Sequence, residues 1–337
     1  MWMVLPVICL AIVHISGNNV AVIPELSNVL GHDIYITILV SYIILGMIIG
    51  IITAWIGVKA GQEIVVLSKA LYGTIGKKIL AIILLCVSIP ASALTGGYYA
   101  GQILYLFTGL PQWITALLCV LFFSLLAVGY HQELLKISNY IGLLLVPILI
   151  PVLLLHDFEI PTVTFQWKQV NWILILGLTS YNVGGVWSAL VVETGAYLSQ
   201  QGNRAIVVVA VAKLIEGIFT LYVAYIVLLV GANGPLALVD IVSKTYGIIM
   251  GYIFCFVLLC TFINTMAPAM VVNGRQVSSL TGLPFCPSLG VAALLVYIIS
   301  FIKMIVIITI MGYTGLLMII FIIYTAYLIH KYGINKQ

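Results

Sequence analysis

The 337-residue chain is 64% hydrophobic and only 7% charged, with 13 Lys and Arg against 9 Asp and Glu, a formal net charge of +4. A soluble domain keeps roughly a quarter of its residues charged, so this composition excludes one. The apolar residues run in blocks of about 18 to 30 rather than in short alternating segments, which excludes an outer-membrane β-barrel and leaves an all-α polytopic membrane protein. Six cysteines (Cys9, Cys86, Cys119, Cys255, Cys260, Cys286) stand singly, with no C-x-x-C, so neither a disulfide framework nor a metal cluster is expected. No phosphate-binding loop, nucleophile elbow or basic nucleic-acid patch occurs, which argues against an enzyme, against ATP-driven chemistry within this chain and against a nucleic-acid partner.

The first apolar segment begins Met1-Trp2-Met3-Val4-Leu5-Pro6 without a basic leader or cleavage motif, so it is expected to be a retained helix. Loop signals at Gly31–Asp33, Gly57–Lys78, Gly109–Pro111, His131–Lys136, His156–Val170, Gln200–Arg204, Gly231–Tyr246 and Asn273–Pro287 separate nine apolar blocks. The last block is about twice the length of one span and carries Lys303 near its middle, so it is divided there. Ten transmembrane helices result, over residues 2–30, 34–56, 79–107, 112–130, 137–155, 171–199, 205–231, 247–272, 287–302 and 306–330.

With an inside N-terminus, Lys59, Lys69, Lys77, Lys78, Lys136, Arg204, Arg275, Lys331 and Lys336 are cytoplasmic, whereas Lys168, Lys244 and Lys303 are outside. This bias places both termini in the cytoplasm. Trp55, Trp113, Trp167 and Trp172 then fall at the membrane interfaces, where amphipathic rings belong.

Two spans are composed differently. The first holds His14-Ile15-Ser16-Gly17-Asn18-Asn19 at its middle, and the sixth holds Thr179-Ser180-Tyr181-Asn182-Val183-Gly184-Gly185. Glycine and asparagine are poor in a helix interior, so both clusters predict unwound segments, which the bilayer tolerates only where they line a cavity or are covered by protein. Broken helices at the first position of each half of five are the signature of an inverted 5+5 repeat with a ligand site between the breaks. The units are then 1–155, an extracellular connection at 156–170, and 171–337. The alternative is that the glycines only allow close helix packing.

The run Ser16-Gly17-Asn18-Asn19-Val20-Ala21-Val22-Ile23-Pro24 resembles the broken first helix of the amino acid-polyamine-organocation superfamily, whose members have the LeuT-like fold. Leu67-Ser68-Lys69-Ala70-Leu71-Tyr72-Gly73-Thr74-Ile75-Gly76 is similar to that superfamily's connection into helix 3, and the sixth span, ending in Glu193-Thr194-Gly195, to its helix 6. Gly312-Tyr313-Thr314-Gly315-Leu316 and the compact length look most like the small YkvI-type membrane proteins, with spore-germinant receptor subunits a more distant likeness. The chain departs from the superfamily in having no cation from Asn139 to Leu155 in the fifth span, and in Gly17-Asn18-Asn19 where two glycines are usual.

Helix ends inside the membrane expose unpaired N–H and C=O groups that bind ions and polar groups through backbone alone. On this reading Ser16, Gly17, Asn18 and Asn19 face Tyr181, Asn182, Gly184 and Gly185 across a pocket. Trp187 is either a lid over it or core packing. The third span carries a polar stripe, Ser88, Ser92, Thr95 and Tyr99, that either packs against a neighbouring helix or reaches the substrate, with Tyr99 long enough to cap the pocket. In the eighth span Thr261, Asn264 and Thr265 offer oxygen ligands; the resemblance implies a bound sodium at Thr261 and Thr265, against the alternative that these groups bond within their own helix. No other cofactor is expected.

Charges at membrane depth are functional candidates. Glu193 and Lys213 lie at similar depths on consecutive helices and are expected to form a salt bridge, leaving Glu216, one turn from Lys213, as the unpaired, protonatable member. His14 either titrates or satisfies freed carbonyls, and Glu25 is either a gate or reaches to water. The resemblance implies a cation-coupled secondary transporter of the bacterial inner membrane, moving an amino acid or related amine, with a non-transporting sensor or receptor subunit as the alternative. Its partners are the solute and the lipid bilayer; the sequence carries no sign of oligomeric state.

Overall fold

The computed structural model describes residues 19–61, 64–129, 141, 144–154, 171–184, 202–232 and 234–332, and all regular structure among them is helical. In chain order the helices are α1 (Val20–Leu30), α2 (Asp33–Ala60), α3 (64–108), α4 (Gln112–Gly129), α5 (Leu145–Leu154), α6 (Trp172–Thr179, continuing through Ser180–Gly184), α7 (Asn203–Val230), α8 (Ala237–Tyr246), α9 (Ile248–Thr281), α10 (Phe285–Ile299) and α11 (Met304–Tyr332). Among these, α2, α3, α4, α7, α9 and α11 are long and apolar enough to cross a membrane, and α10 is a shorter apolar helix. The protein is therefore a multi-pass membrane protein. Large apolar side chains such as Leu125, Ile249, Leu294 and Ile320 remain exposed on the helix surfaces, where lipid would cover them.

Glycine ends most of the long helices. Gly61, Gly109, Gly231 and Gly282 take left-handed backbone after α2, α3, α7 and α9, each donating its N–H back to the fourth carbonyl before it. Gly73, with φ 71° and ψ −170°, interrupts α3 near its start, so Ile64–Tyr72 forms a separate short helix before the long rod.

Among the described residues π segments occur in α2 at Leu39–Leu45, in α3 at Ala93–Tyr99 just after Pro90, and in α6 at Ser180–Gly184. Helices α6 and α11 meet with almost no side chain between them. A Cβ on Gly177 would stand 2.2 Å from the Ile308 carbonyl oxygen, and one on Gly312 would stand 2.3 Å from that of Ile173.

The division of the last apolar block at Lys303 agrees with the gap between α10 and α11. Several expected boundaries are corrected. The expected loop Gly231–Tyr246 contains α8, an amphipathic helix with Asp240 in its first turn and Lys244 in its last, each complementing the helix dipole, and with Ala237, Leu238, Ile241 and Val242 buried. The expected loop Asn273–Pro287 is mostly helix, because α9 runs on to Thr281 with Asn273 and Gln276 facing inward. Much of Gly57–Lys78 is likewise helical.

The polar cluster of the sixth span is not unwound between Thr179 and Gly184. It stays helical in the wider π form, with Thr179 and Ser180 each donating a side-chain bond to the carbonyl four residues earlier. Asn19 has helical backbone too, at φ −83° and ψ −40°.

Candidate functional site

Helix α7 carries a buried ion pair. Lys213 and Glu216 lie one turn apart and share a face; the ammonium is 2.7 Å from Glu216 Oε2, and the two side chains are 1% and 2% exposed. Taking two charges out of water costs several kcal/mol per ion unless each finds further partners. Here both do. Asn19 Nδ2, at the start of α1, donates to Glu216 Oε1 at 3.2 Å. Lys213 donates to the Asn182 side-chain oxygen and, at 3.4 Å, to the Asn182 carbonyl, both on the π segment of α6.

One charged centre thus joins α1, α6 and α7. Gly217 lets α7 approach the π segment of α2 closely, since a Cβ there would stand 2.4 Å from Ile43 Cγ1.

This corrects the expectation that Glu216 stands unpaired: it is the carboxylate partner of Lys213. A one-turn step on a single helix brings the two groups together whatever the rotation of neighbouring helices. The expected partner Glu193 lies outside the described residues, as do His14, Ser16, Gly17, Asn18, Gly185 and Trp187; Gly184 is described only as the end of the π segment. Of the two polar clusters, Asn19 and Asn182 come together through the ion pair between them.

The polar stripe of α3 connects four other helices. Ser88 Oγ donates to Asn273 Oδ1 of α9 at 2.5 Å, and Asn273 Nδ2 donates to Ser92 Oγ at 3.0 Å. The first two members are therefore a clamp onto α9, which is the packing alternative. Thr95 and Tyr181 of α6 share a hydrogen bond of 3.0 Å between their hydroxyls. Tyr99, fully buried, donates to Glu25 Oε2 of α1 at 3.0 Å and lies 3.4 Å from Met304 Sδ of α11.

Thr261, Asn264 and Thr265 are all buried on α9. Thr261 gives its proton to the Leu258 carbonyl at 2.6 Å; its oxygen lone pairs remain acceptors, so this bond is compatible with a cation ligand.

Two features escaped the sequence reading. Tyr42, on the π segment of α2, is completely buried, and neither its hydroxyl nor Asn182 Nδ2 has a hydrogen-bond partner among the described residues. Tyr42 lies in an apolar stretch with no polar neighbour pattern, and only the burial of its hydroxyl sets it apart. The second is a cleft of about 320 Å³ lined by Glu25, Tyr98, Gln112, Ser300 and Lys303 among others. Glu25 is half-buried: Tyr99 holds its carboxyl at the wall of this cleft, and Lys303 stands on the same lining without a salt bridge to it. Opposite charges that share a small cleft without neutralising one another suit a solute carrying both an amine and an acid.

A polytopic helical protein with a charged centre between its first, sixth and seventh helices is the class that fold and site define. No family model matches the chain, and no curated protein matches it. Among solved structures 41 chains match. One is Mhp1, a nucleobase-cation-symport-1 family transporter, in a closed conformation with bromovinylhydantoin bound. It aligns with a TM-score of 0.60 over 87% of this chain and 70% of that one, at 17% identity. At that identity the match shows the fold alone: the chain shares the fold of that structure.

Proposed function

We propose that the chain is a cation-coupled secondary transporter of a small polar solute, an amino acid or related amine, working by alternating access in a bacterial inner membrane without covalent chemistry. The observation that carries this reading is the buried Asn19–Glu216–Lys213–Asn182 centre, set in a fold shared with a cation symporter. An ion pair whose amide partners come from two different helices ties their separation to local charge. Rearranging α1 against α6 must exchange those bonds, so solute binding between the helices and movement of charge become linked.

In this reading ten spans form two inverted repeats, 1–155 and 171–337, joined outside by 156–170, with both termini cytoplasmic and kinship nearest the YkvI-type proteins. The solute binds between Ser16–Asn19 and Tyr181–Trp187, with Tyr99 on the outer side beneath the Glu25 cleft. A sodium ion at Thr261 and Thr265 is the coupling cation, because neutral oxygens bind it without any change of protonation.

The test is uptake of labelled amino acids, amines and hydantoins into proteoliposomes under an imposed sodium or proton gradient. Gradient-driven accumulation of one class, lost in Asn182→Leu, is the expected result. Ligand-induced thermal stabilisation without flux under either gradient would overturn the transporter reading in favour of a receptor.

A further inference from the structure

We propose that the groove between α4 and α10 is a binding site for one acyl chain of a bilayer phospholipid. The two helices run antiparallel. Ser88 of α3 bonds Asn273 of α9, and a Cβ on Gly96 would strike Met266, so α3 and α9 are themselves antiparallel. Helix α4 folds back on α3, where a Cβ on Gly101 would touch Ala116, and α10 folds back on α9, where one on Gly274 would touch Leu289. Helix α4 presents Leu117 to the groove and then the positions three, four, seven, eight and eleven residues on; α10 presents the same spacing from Cys286 to Tyr297. That spacing is one stripe of an α-helix, so two matching stripes face each other across a trough. Ser124 and Gly290 each fall seven residues from the Leu117–Tyr297 end, and both are small: a Cβ on Gly290 would meet nothing within 4 Å. Val120, Leu289 and Ala293 are buried along the floor, and Leu121, Leu125 and Leu294 are exposed along the rims.

Shape decides the occupant. The trough holds about 330 Å³ and runs for eleven residues of each helix. Eleven residues rise roughly 16 Å, so the trough averages about 20 Å² in section, whereas a helix with its side chains is about 10–12 Å across and fills about 80 Å² or more. A helix of a second copy is too thick to enter; an unbranched hydrocarbon chain is not. No charged side chain lines the trough, and the Ser124 hydroxyl at its middle already donates to the Val120 carbonyl at 2.7 Å, which suits an apolar occupant. At one end Val128 and Cys286 each lie one residue from a helix terminus, the level at which a headgroup meets water. Tyr297, edge-on to Phe301, stands at the other end. The chain therefore enters beside Val128 and Cys286 with its methyl end towards Tyr297, and supplies the wall contacts that an empty trough lacks. The inference uses only the placement of α4 and α10 in the membrane and is independent of the transport reading.

The experiment is photolabelling of the full-length protein in phosphatidylcholine nanodiscs, doped with phosphatidylcholine that carries a diazirine midway along one acyl chain, followed by peptide mapping. Wild type is expected to take label on the trough faces of α4 and α10 severalfold above the outer face of α11 at Leu317 and Ile320, which is comparably exposed. Gly290→Leu, which fills the trough, is expected to bring that excess down to the α11 level while labelling of α11 itself stays unchanged. If Gly290→Leu does not fold, Ser124→Leu fills the trough from the opposite wall; the excess in wild type needs neither variant. Trough labelling no greater than that of α11 would overturn the proposal, as would an excess that survives in a folded Gly290→Leu or Ser124→Leu protein. Cys286–Cys286 cross-links between copies, with a trough shielded from the probe, would overturn it in favour of a protein partner.

Discussion

The seam between α6 and α11 predicts that one substitution, Gly→Ala, acts with opposite sign at two positions of the α10–α11 hairpin. At Gly312 an added Cβ would stand 2.3 Å from the Ile173 carbonyl oxygen, whereas ordinary contact begins near 3.4 Å, so the two backbones must part by about 1 Å. At Gly290 on α10 a Cβ would meet nothing within 4 Å. Alanine is favoured over glycine in a helix interior by about 1 kcal/mol, so Gly290→Ala should be neutral or stabilising by up to about that amount. Gly312→Ala carries an overpacking cost of about 1–3 kcal/mol against the same gain, a net loss of up to about 2 kcal/mol. The seam also runs under the site, because a Cβ on Gly315 would clash with Ser180 Oγ on the π segment that carries Tyr181 and Asn182. Gly312→Ala should therefore weaken solute binding as well as lowering the melting temperature, whereas Gly290→Ala should leave binding unchanged. Unfolding in detergent micelles, with solute titrated on the same samples, measures both. Equal shifts of the same sign at the two glycines would refute the packing argument.

Three further outcomes follow from the site. Removing one member of the buried pair leaves a charge without its counter-ion, so Lys213→Met and Glu216→Met should each cost about 3–5 kcal/mol while the double variant lies near wild type; additive losses in the unfolding cycle would mean the pair is not coupled. Glu25→Gln should raise the KM for external amine severalfold with little change in maximal rate, since Tyr99 can still donate to the amide oxygen while the charge facing the cleft is gone; a fall in maximal rate at unchanged KM would contradict an entry role. Tyr42→Phe removes a buried hydroxyl that has no protein partner, so stability should hold within about 1 kcal/mol while solute affinity drops, and a binding curve identical to wild type would exclude Tyr42 from the solute site.

Hydropathy was sufficient to mark the membrane-crossing rods, and a single cation, Lys303, was sufficient to divide the final apolar block at the α10–α11 gap. The two largest misreadings share a cause. Asn273, Arg275 and Gln276 look like a loop, yet Asn273 points inward to bond Ser88 and Ser92, and polarity alone does not distinguish a helix face turned to water from one turned to a hydroxyl-lined partner. Between Gly231 and Tyr246 the turn residues at Gly231 and Gly234 dominate the reading, although the inward spacing of Ala237, Leu238, Ile241 and Val242 already has helical period. The Lys213–Glu216 pair was visible as two charges one turn apart on one helix, a spacing that sets the contact by itself, whereas Glu193 lies outside the described residues. The π segments were partly legible: Thr95-Gly96-Gly97 and Thr179 to Gly184 carry small polar residues that weaken an α-helix, whereas Leu39–Leu45 gives little such warning.

These π segments bear on how the site is built. Each carries one large, fully buried tyrosine: Tyr42 on α2, Tyr99 on α3 and Tyr181 on α6. A π turn takes up more residues than an α turn, so the helix beyond it is rotated, and apolar residues can keep facing lipid on both sides while one ring turns inward. The three segments are also linked. Thr179 beside the α6 segment donates to the Ser41 carbonyl of the α2 segment at 3.4 Å as well as to Ile175 in its own helix, and Thr95 of the α3 segment meets the Tyr181 hydroxyl. A carbonyl in a widened turn is more accessible to a second donor than one in a tight α turn, which is what the Ser41 contact uses. Tyr99 and Tyr181 have protein partners for their hydroxyls and so fix α3 against α1 and α6, whereas the buried Tyr42 hydroxyl has none among the described residues. The same irregularity thus turns three tyrosines inward, two with hydroxyls committed to contacts between helices and one, Tyr42, whose hydroxyl meets no partner among the described residues.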